Sequence, residues 1–290
     1  MRVLLAQINP TIGDIECNTS KVLHAIRFAQ EQHLEIVLFP ELCLSGYPPE
    51  DFLLLPHFID ELELALEKVV KASKDITAIV GLPRHNPEKF EKKVFNSAAI
   101  ISNQKLLGFQ DKALLPTYDV FSERRYFEPS GHSKLWTIGD KKVAVTICED
   151  LWQHSELLKE TAYRRDPVTE LSKLHPDIVF NLSASPYSFT KYQNRLKVFQ
   201  NAAKTLDCPI LICNQIGGND SLIFDGYSLA VDSAGNLIAL AKGFEEDYLT
   251  IDLNQAPLLP PFKRNQIEDL YKALTLGLHD YFHKSGFNRA

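Results

Sequence analysis

Residues 35–41 read EIVLFPE, a short apolar and β-branched run that ends in proline and glutamate. Its length and composition are typical of a buried strand. Helical patterns lie on both sides of it, one that Asn18 could cap and one that Pro56 opens. Beyond these patterns, RVLLAQI at 2–8 and TAIVGLP at 77–83 also read as strands. The resulting βαβαβ order predicts neighbouring, mostly parallel strands with helices packed on the sheet.

The rest of the chain continues the α/β pattern. NSAAIIS and KLLGFQDK predict a hairpin that turns at Asn103-Gln104, and a second turn at 233–236 joins two further predicted strands. Between them, helical patterns separate three apolar runs, which are KKVAVTIC, DIVFNLSAS and CPILICNQ. A proline-rich break at 257–261 precedes a predicted amphipathic helix at 265–284.

Composition restricts the classes of function. The chain has 290 residues, 45% hydrophobic and 23% charged, as is ordinary for a soluble globular protein. A net charge of −6 without a basic tract argues against nucleic acid or an anionic membrane as the main partner. No run is long enough for a membrane span, and the apolar run at the N-terminus is too short for a signal peptide. Five cysteines without a CxxC pair favour a reducing cytoplasm over a disulfide or zinc framework.

Three residues with reactive side chains each follow a predicted strand: Glu41 after IVLFP, Lys112 after LLGFQD and Cys148 after VAVTI. Ligand sites in α/β sheets form at the carboxyl ends of strands, so we expect the three to meet on one side. A lysine ammonium lowers the pKa of a nearby thiol, and a carboxylate can accept the thiol proton. The combination indicates a cysteine nucleophile, despite the two acids, Glu149 and Asp150, that follow it.

Each of these residues also has a structural interpretation, and the pattern alone leaves both open. A cysteine at a strand end is commonly a small buried hydrophobic residue. Glu41 could bond a loop, Lys112 could be a solvated surface cation, and Glu149 and Asp150 could cap the following helix. With nine histidines, a Cys–His hydrolase is a further alternative. If Lys112 is catalytic, Lys112→Ala is expected to abolish turnover and leave thermal stability nearly unchanged.

The segments around these residues resemble the nitrilase, or carbon–nitrogen hydrolase, superfamily. The similarity covers about residues 1–252 and includes FPELCLSGYPPED, DKALLPTYDVFSERRYF, VAVTICEDLW, FNLSASPY and NQIGGNDSLIFDGYSLAVDSAG. Within the superfamily, SGYPPEDFLLLP, ICEDLW and GGNDSLIFDG are most similar to the N-terminal glutaminase domain of the glutamine-dependent NAD synthetase family. The resemblance implies an α/β fold, a four-layer αββα sandwich of the nitrilase type, commonly assembled as a homo-oligomer.

The resemblance also implies roles for individual residues. Cys148 matches the nucleophile, Glu41 the general base, and Lys112 the residue that supports the tetrahedral intermediate, which together form a Glu-Lys-Cys triad without a metal. Glu123 in SERRYF matches a supporting second glutamate. The residues expected to bind substrate are Tyr47, Tyr118, Glu149 and Trp152 around the pocket, and Ser185 and Lys191 at the amino-acid head group.

The implied reaction is hydrolysis of L-glutamine through a cysteine thioester, with no cofactor. The tail at 263–290 resembles the helix that leads into a synthetase domain, so a glutaminase domain is expected at 1–262. Sites for ATP, Mg and deamido-NAD would belong to that synthetase domain, present in cis or in trans, and the chain ends before it. A stand-alone amidase for another small amide and a catalytically silent partner or fragment are the alternatives.

Overall fold

The computed structural model describes residues 1–87, 92–155, 163–260, 262, 264–287 and 289. The helices in these residues are α1 (Ile15–Glu31), α2 (Pro56–Ala72), α3 (Pro167–Ser172), α4 (Lys191–Leu206) and α5 (Gln266–Lys284). The strands are β1 (Arg2–Gln7), β2 (Ile36–Leu38), β3 (Thr77–His85), β4 (Val94–Ser102), β5 (Lys105–Asp111), β6 (Leu135–Ile138), β7 (Lys141–Ile147), β8 (Ile178–Ser183), β9 (Ile210–Asn214), β10 (Ile216–Asn219), β11 (Leu222–Asp225), β12 (Leu229–Val231), β13 (Leu237–Leu240) and β14 (Asp247–Asp252).

Most of the strands form two six-stranded sheets. The first has the order β14-β1-β2-β3-β4-β5 and the second the order β13-β12-β9-β8-β7-β6. β1, β2 and β3 pair in parallel, which confirms the βαβαβ prediction, and β7, β8 and β9 do the same in the second sheet. The outer strands pair antiparallel, so both sheets are mixed.

Alternate residues along the strands face different hydrophobic layers. Leu5 of β1 packs in one cluster with Val145 of β7, so the inner faces of the two sheets contact each other. Leu4 packs on the opposite face with residues of α1 and α2, and Ala144 of β7 packs with residues of α3 and α4. Side chains alternate between the faces of a strand, so this pattern gives four layers in the order α, β, β, α. The predicted αββα sandwich is confirmed.

The hairpin prediction is confirmed and one capping prediction is wrong. Asn103 and Gln104 have φ of 46° and 62° between β4 and β5, as a tight two-residue hairpin turn requires. Asp14, not Asn18, caps α1, by accepting the Cys17 N–H at 3.1 Å. Asn18 lies inside the helix, where its buried amide bonds the preceding loop through both backbone groups of Thr11.

Four strands of the structure do not follow from the sequence pattern. β6, β10 and β11 have four residues each, too few for a clear alternation, and β10 contains two glycines. β14 begins and ends with aspartate, but it pairs with β1 along its whole length and so extends the first sheet. Short strands of this kind are specified by their partners rather than by their own composition.

The predicted final helix is present, with Asn265 as its N-cap, but its contacts differ from those of an ordinary amphipathic helix. Five of its large apolar side chains face solvent, at Ile267, Tyr271, Leu274, Leu278 and Tyr281. Asp280 is buried instead and accepts hydrogen bonds from the Asn9 amide and the Gly218 N–H, at 2.7 and 2.8 Å. Polar contacts therefore hold α5 against β10. Within the described ranges, every helix is too short or too polar to span a bilayer.

Candidate active site

The candidate site lies where the carboxyl ends of the two sheets meet. Glu41 follows β2, Lys112 follows β5 and Cys148 follows β7, as the strand-end argument predicts. All three side chains are buried. The Glu41 N–H donates to the carbonyl of Ser183, at the end of β8, across 3.4 Å. Both sheets therefore contribute residues to one site.

Lys112 bridges two buried carboxylates. Its Nζ lies 2.6 Å from Glu41 Oε1 and 2.7 Å from Glu123 Oε1, and the residue is 1% exposed. Asn96 Nδ2 donates to Glu41 at 2.7 Å and to Glu123 at 3.4 Å. The Tyr47 hydroxyl also donates to Glu123, at 2.8 Å. Lys112 is thus not a solvated surface cation, and Tyr47 bonds the second glutamate rather than presenting a free hydroxyl to a pocket.

The protonation of this group of charges follows from its burial. Burial alone lowers the pKa of Lys112, but Glu123 and Glu41 outweigh it and hold that pKa well above its usual value. Burial raises the pKa of Glu123 to about 7, although Lys112 opposes the shift. Lys112 therefore stays charged, while Glu123 takes up a proton near neutral pH.

Cys148 occupies a sharp turn between β7 and the 3₁₀ helix Cys148–Leu151. Its φ of 40° lies in the left-handed region, which few residues other than glycine adopt. The side chain is 7% exposed and bonds no side chain in the part of the chain that the structure describes. Strained backbone of this kind persists only where its surroundings fix it, and it is common at functional sites.

Asp150 fixes this turn. Its Oδ2 accepts the Ile147 N–H at 2.9 Å, and its Oδ1 accepts the N–H groups of Ala113 and Leu114 at 3.0 and 2.9 Å. The first bond caps the 3₁₀ helix, as the capping interpretation predicts for Asp150. The other two join the cysteine turn to the segment that follows Lys112, so Asp150 sets the distance between the two.

The thiol is neutral at rest. Burial raises the pKa of Cys148 above its usual value, Glu41 raises it further, and Lys112 lowers it by less than these two together raise it. The sequence predicts that Lys112 lowers the pKa of the thiol, but the net shift of that pKa is upward. Glu149 also raises the pKa of this thiol. Because the thiolate is the nucleophilic form, a base must take this proton for Cys148 to react.

Glu149 forms a wall beside the cysteine. The Tyr118 hydroxyl donates to its Oε1 at 2.7 Å, and the Tyr163 hydroxyl donates to the same oxygen at 3.2 Å. Lys191 Nζ lies 4.3 Å from the ring centroid of Trp152, a cation–π contact. An acidic group and a basic group thus lie near the same buried thiol, and both contribute to its electrostatic environment.

The Ser185 backbone is hydrogen-bonded through both of its polar groups, on either side of a buried hydroxyl. Its N–H donates to Asn214 Oδ1 at 2.8 Å, and its carbonyl accepts from Arg195 at 3.3 Å. Its Oγ is buried and has no hydrogen-bond partner among the described residues. A buried hydroxyl without a partner is costly unless a ligand or water completes it. The hydroxyl is therefore available to a bound molecule.

Two of these contacts were missed by sequence reasoning. Asn96 lies opposite Lys112 in the hairpin, where the Lys112 N–H donates to the Asn96 carbonyl at 2.8 Å. A count of residues back from the hairpin turn does not predict this pair, because a β-bulge near Ile100 shifts the pairing of the two strands by one residue. Tyr163 is separated from Glu149 by a charged segment, part of which lies outside the described residues. No periodic pattern marks it.

Comparisons with known proteins agree with this architecture. The family model for carbon–nitrogen hydrolases matches residues 2–258. A glutamine-dependent NAD(+) synthetase from Synechocystis sp. is 41% identical over 99% of this chain, which covers 53% of that protein. A protein of the same name from Aquifex aeolicus is 34% identical over the whole chain, which covers 55% of it. The chain thus spans about half the length of the curated relatives it matches.

Solved structures show the same similarity. The glutamine-dependent NAD+ synthetase of Acinetobacter baumannii, solved with ADP, aligns with a TM-score of 0.85 and 32% identity. That alignment covers 99% of this chain and 52% of the other. An amidase from Nesterenkonia sp. aligns with a TM-score of 0.72 over 87% of this chain and 90% of its own. Its identity is 21%, so it shows the fold alone.

Proposed function

The chain belongs to the carbon–nitrogen hydrolase family, and on this premise we propose that it hydrolyses the side-chain amide of L-glutamine with Cys148 as nucleophile. The observation that carries the proposal is the buried Glu41–Lys112 ion pair within electrostatic range of that thiol. The choice of glutamine is supported by relatives named glutamine-dependent NAD(+) synthetase. Glu41, Lys112 and Cys148 are the proposed triad.

Attack and proton transfer occur together in the proposed reaction. Because the thiol pKa is raised, Sγ attacks the amide carbon while its proton passes to Glu41. Glu41 Oε1 accepts hydrogen bonds from Lys112 and Asn96, and its Oε2 accepts one from the Ala184 N–H at 3.1 Å. These bonds fix the carboxylate and leave lone pairs on Oε2 to receive the proton.

Lys112 stabilises the tetrahedral intermediate in this mechanism. An ammonium has three donors, and Glu41 and Glu123 occupy two of them, which leaves one for the developing oxyanion. The Glu149 backbone N–H is the second proposed donor. Removal of one such donor typically costs about 3 kcal/mol in the barrier. Glu123, held by Tyr47 and Lys112, orients this ammonium.

The remaining steps release ammonia and then glutamate. Protonated Glu41 gives its proton to the leaving nitrogen, and the carbon–nitrogen bond breaks to leave a thioester on Cys148. Glu41 then takes a proton from water as the water attacks the thioester, and glutamate leaves with restoration of the thiol. No cofactor or metal takes part in these steps.

The substrate head group is assigned to the residues around Glu149. We assign the α-ammonium to the Glu149 carboxylate and the α-carboxylate to Lys191 and the buried Ser185 hydroxyl, which has no partner among the described residues. Tyr118 holds Glu149 by its hydrogen bond, and Trp152 supports Lys191 by the cation–π contact. Tyr47 contributes through Glu123.

The biological setting is proposed from the half-length relatives. We assign a glutaminase domain to 1–262 and a connecting helix to 263–290; Pro261 and Lys263, beside this boundary, lie outside the described residues. The ammonia would supply a synthetase domain in cis or in trans, which would bind ATP, Mg and deamido-NAD. A cytoplasmic homo-oligomer is the proposed state.

A substrate panel tests the proposal. Purified chain is assayed for ammonia release from L-glutamine, L-asparagine and propionamide, with Cys148→Ala as the inactive variant and Cys208→Ala as the matched core cysteine. Glutamine turnover that Cys148→Ala abolishes and Cys208→Ala retains is expected. Turnover of propionamide with inert glutamine would instead establish a stand-alone amidase. Glutamine hydrolysis that appears only with an added synthetase domain, deamido-NAD and ATP would show a partner-dependent enzyme.

A further inference from the structure

We propose that Tyr163 is a positioning residue that, with Tyr118, aims the Glu149 carboxylate at the substrate α-ammonium and so favours free α-amino-acid amides over amides that lack the α-amino group. The inference rests on the proposed hydrolase function and assigns the substrate class of the same site. It gives a role to a residue in the charged segment after the cysteine turn, for which the sequence offers no motif.

The two tyrosines donate hydrogen bonds to the same carboxylate oxygen of Glu149. Both hydroxyls donate to Oε1, Tyr118 across 2.7 Å and Tyr163 across 3.2 Å. No residue within the described ranges donates to Oε2. A carboxylate oxygen has lone pairs for two hydrogen bonds, so Oε1 is saturated and the plane of the carboxylate is fixed. Oε2 is therefore the oxygen that can accept an ammonium.

No cation among the described residues forms a direct ion pair with Glu149. The side chain is almost completely buried, and no lysine, arginine or histidine nitrogen of the described residues lies within ion-pair distance of it. Burial raises its pKa, and the hydrogen bond from Tyr118, the charges of Lys112 and Lys191 and the bond from Tyr163 oppose that shift. A buried carboxylate in this state gains most from a ligand that brings a positive charge.

Tyr163 is itself held in place. Its backbone N–H donates to Gln153 Oε1 at 2.9 Å, which ties it to the 3₁₀ helix Gln153–Ser155. Two residues later, the Arg165 guanidinium makes a paired contact with Glu170 at 2.8 and 2.6 Å and also donates to the Ser130 carbonyl. The hydroxyl therefore reaches Glu149 from a backbone that is anchored on both sides.

The test compares two substrates that differ only in the α-amino group. L-glutamine and 5-amino-5-oxopentanoate, which lacks the ammonium, are measured with wild type, Tyr163→Phe and Tyr227→Phe. Tyr227 donates to Asp269 at 2.9 Å, on α5, so its variant loses the same kind of bond away from the thiol. For Tyr163→Phe we expect KM for glutamine to rise about fivefold or more with kcat nearly unchanged. The constants for the desamino substrate and for Tyr227→Phe should stay at their wild-type values.

Binding separates this inference from the function on which it rests. Calorimetry with Cys148→Ala protein, with and without Tyr163→Phe, should show weaker glutamine binding only in the double variant. Wild-type turnover with an unchanged glutamine KM in Tyr163→Phe would overturn the role of Tyr163 alone. An equal loss for both substrates would reduce Tyr163 to a structural residue. Failure of Cys148→Ala protein to bind glutamine would overturn the inference together with the substrate assignment.

Discussion

Three consecutive residues of the cysteine turn have three separate tasks at the residue scale. Cys148 presents the thiol, Glu149 forms the wall that carries the two tyrosine hydrogen bonds, and Asp150 joins the turn to the lysine segment. The sequence predicts that the two acids oppose thiolate formation, and the Glu149 carboxylate does raise the pKa of the Cys148 thiol. This opposition is compatible with the proposed mechanism, in which the thiol proton passes to Glu41 during attack.

Asp150→Asn tests the hydrogen bonds that connect the cysteine turn to the segment after Lys112. The charged side chain accepts hydrogen bonds from three backbone N–H groups. The amide oxygen of asparagine can accept only some of these bonds, and the asparagine NH₂ would face a donor. We expect a loss of about 3 kcal/mol in the free energy of unfolding, measured in urea, and a lower kcat. Asp140→Asn, at an exposed carboxylate, should change neither. Wild-type stability in Asp150→Asn would contradict this role.

Lys112 shows where residue-scale reasoning from sequence failed. The sequence placed it correctly at a strand end, yet it could not show that two carboxylates enclose the ammonium. Removing one partner of a buried ion pair typically costs about 3–5 kcal/mol. Lys112→Ala should therefore lose stability as well as activity, contrary to the expectation from sequence, and stability alone cannot separate a catalytic role from a structural one.

Glu123 makes stability depend on pH. Burial raises its pKa from the usual 4.5 to about 7, so the folded protein binds this proton more tightly than the unfolded chain does. Its contribution to stability is complete below pH 4.5 and is lost as pH rises to about 7. In Glu123→Gln, the difference between urea midpoints at pH 5 and pH 8 should be smaller than in wild type. Glu67→Gln, at an exposed carboxylate, should keep the wild-type difference, and an unchanged difference in Glu123→Gln would contradict the assignment.

At the element scale, strands with a hydrophobic pattern of their own were predictable. β1, β2 and β3 and the hairpin between β4 and β5 follow from apolar runs and turn residues. β14 and the pair β10 and β11 do not, because their stability comes from neighbours and their residues include glycine and aspartate. The bulge in β4–β5 is a further element-scale feature, because it places Asn96 rather than Phe95 opposite Lys112.

The contact of α5 with β10 depends on two glycines. A Cβ on Gly277 would lie 2.9 Å from Ile223 Cδ1, and one on Gly218 would lie 3.1 Å from the Gly277 Cα. Gly277→Leu should therefore separate the helix from the hairpin and cost about 1–3 kcal/mol. Hydrogen exchange in 266–284 should accelerate, whereas Thr275→Leu, on an exposed position, should leave it unchanged. Equal exchange in both variants would show that α5 is not held by this contact.

At the scale of the whole molecule, the packing of the two sheets brings the site together. Glu41 and Lys112 come from the first sheet and Cys148 from the second, with the layer between them filled by inward-facing side chains of both. The sequence predicted that these residues would converge, because each follows a strand. The sequence could not predict that Lys112 bridges two carboxylates, that the thiol pKa is raised, or that Tyr163 bonds Glu149. These features depend on contacts between segments that are distant in sequence.

Covalent labelling tests the central claim most directly. The whole chain is treated with a diazo-ketone analogue of L-glutamine, and intact mass spectrometry with peptide mapping locates the adduct. The account predicts one adduct per chain, on Cys148, which excess L-glutamine prevents and which Cys148→Ala lacks, although Cys17, Cys43, Cys208 and Cys213 remain. An adduct of equal yield on the Cys148→Ala protein, or none on the folded wild type, would contradict the account.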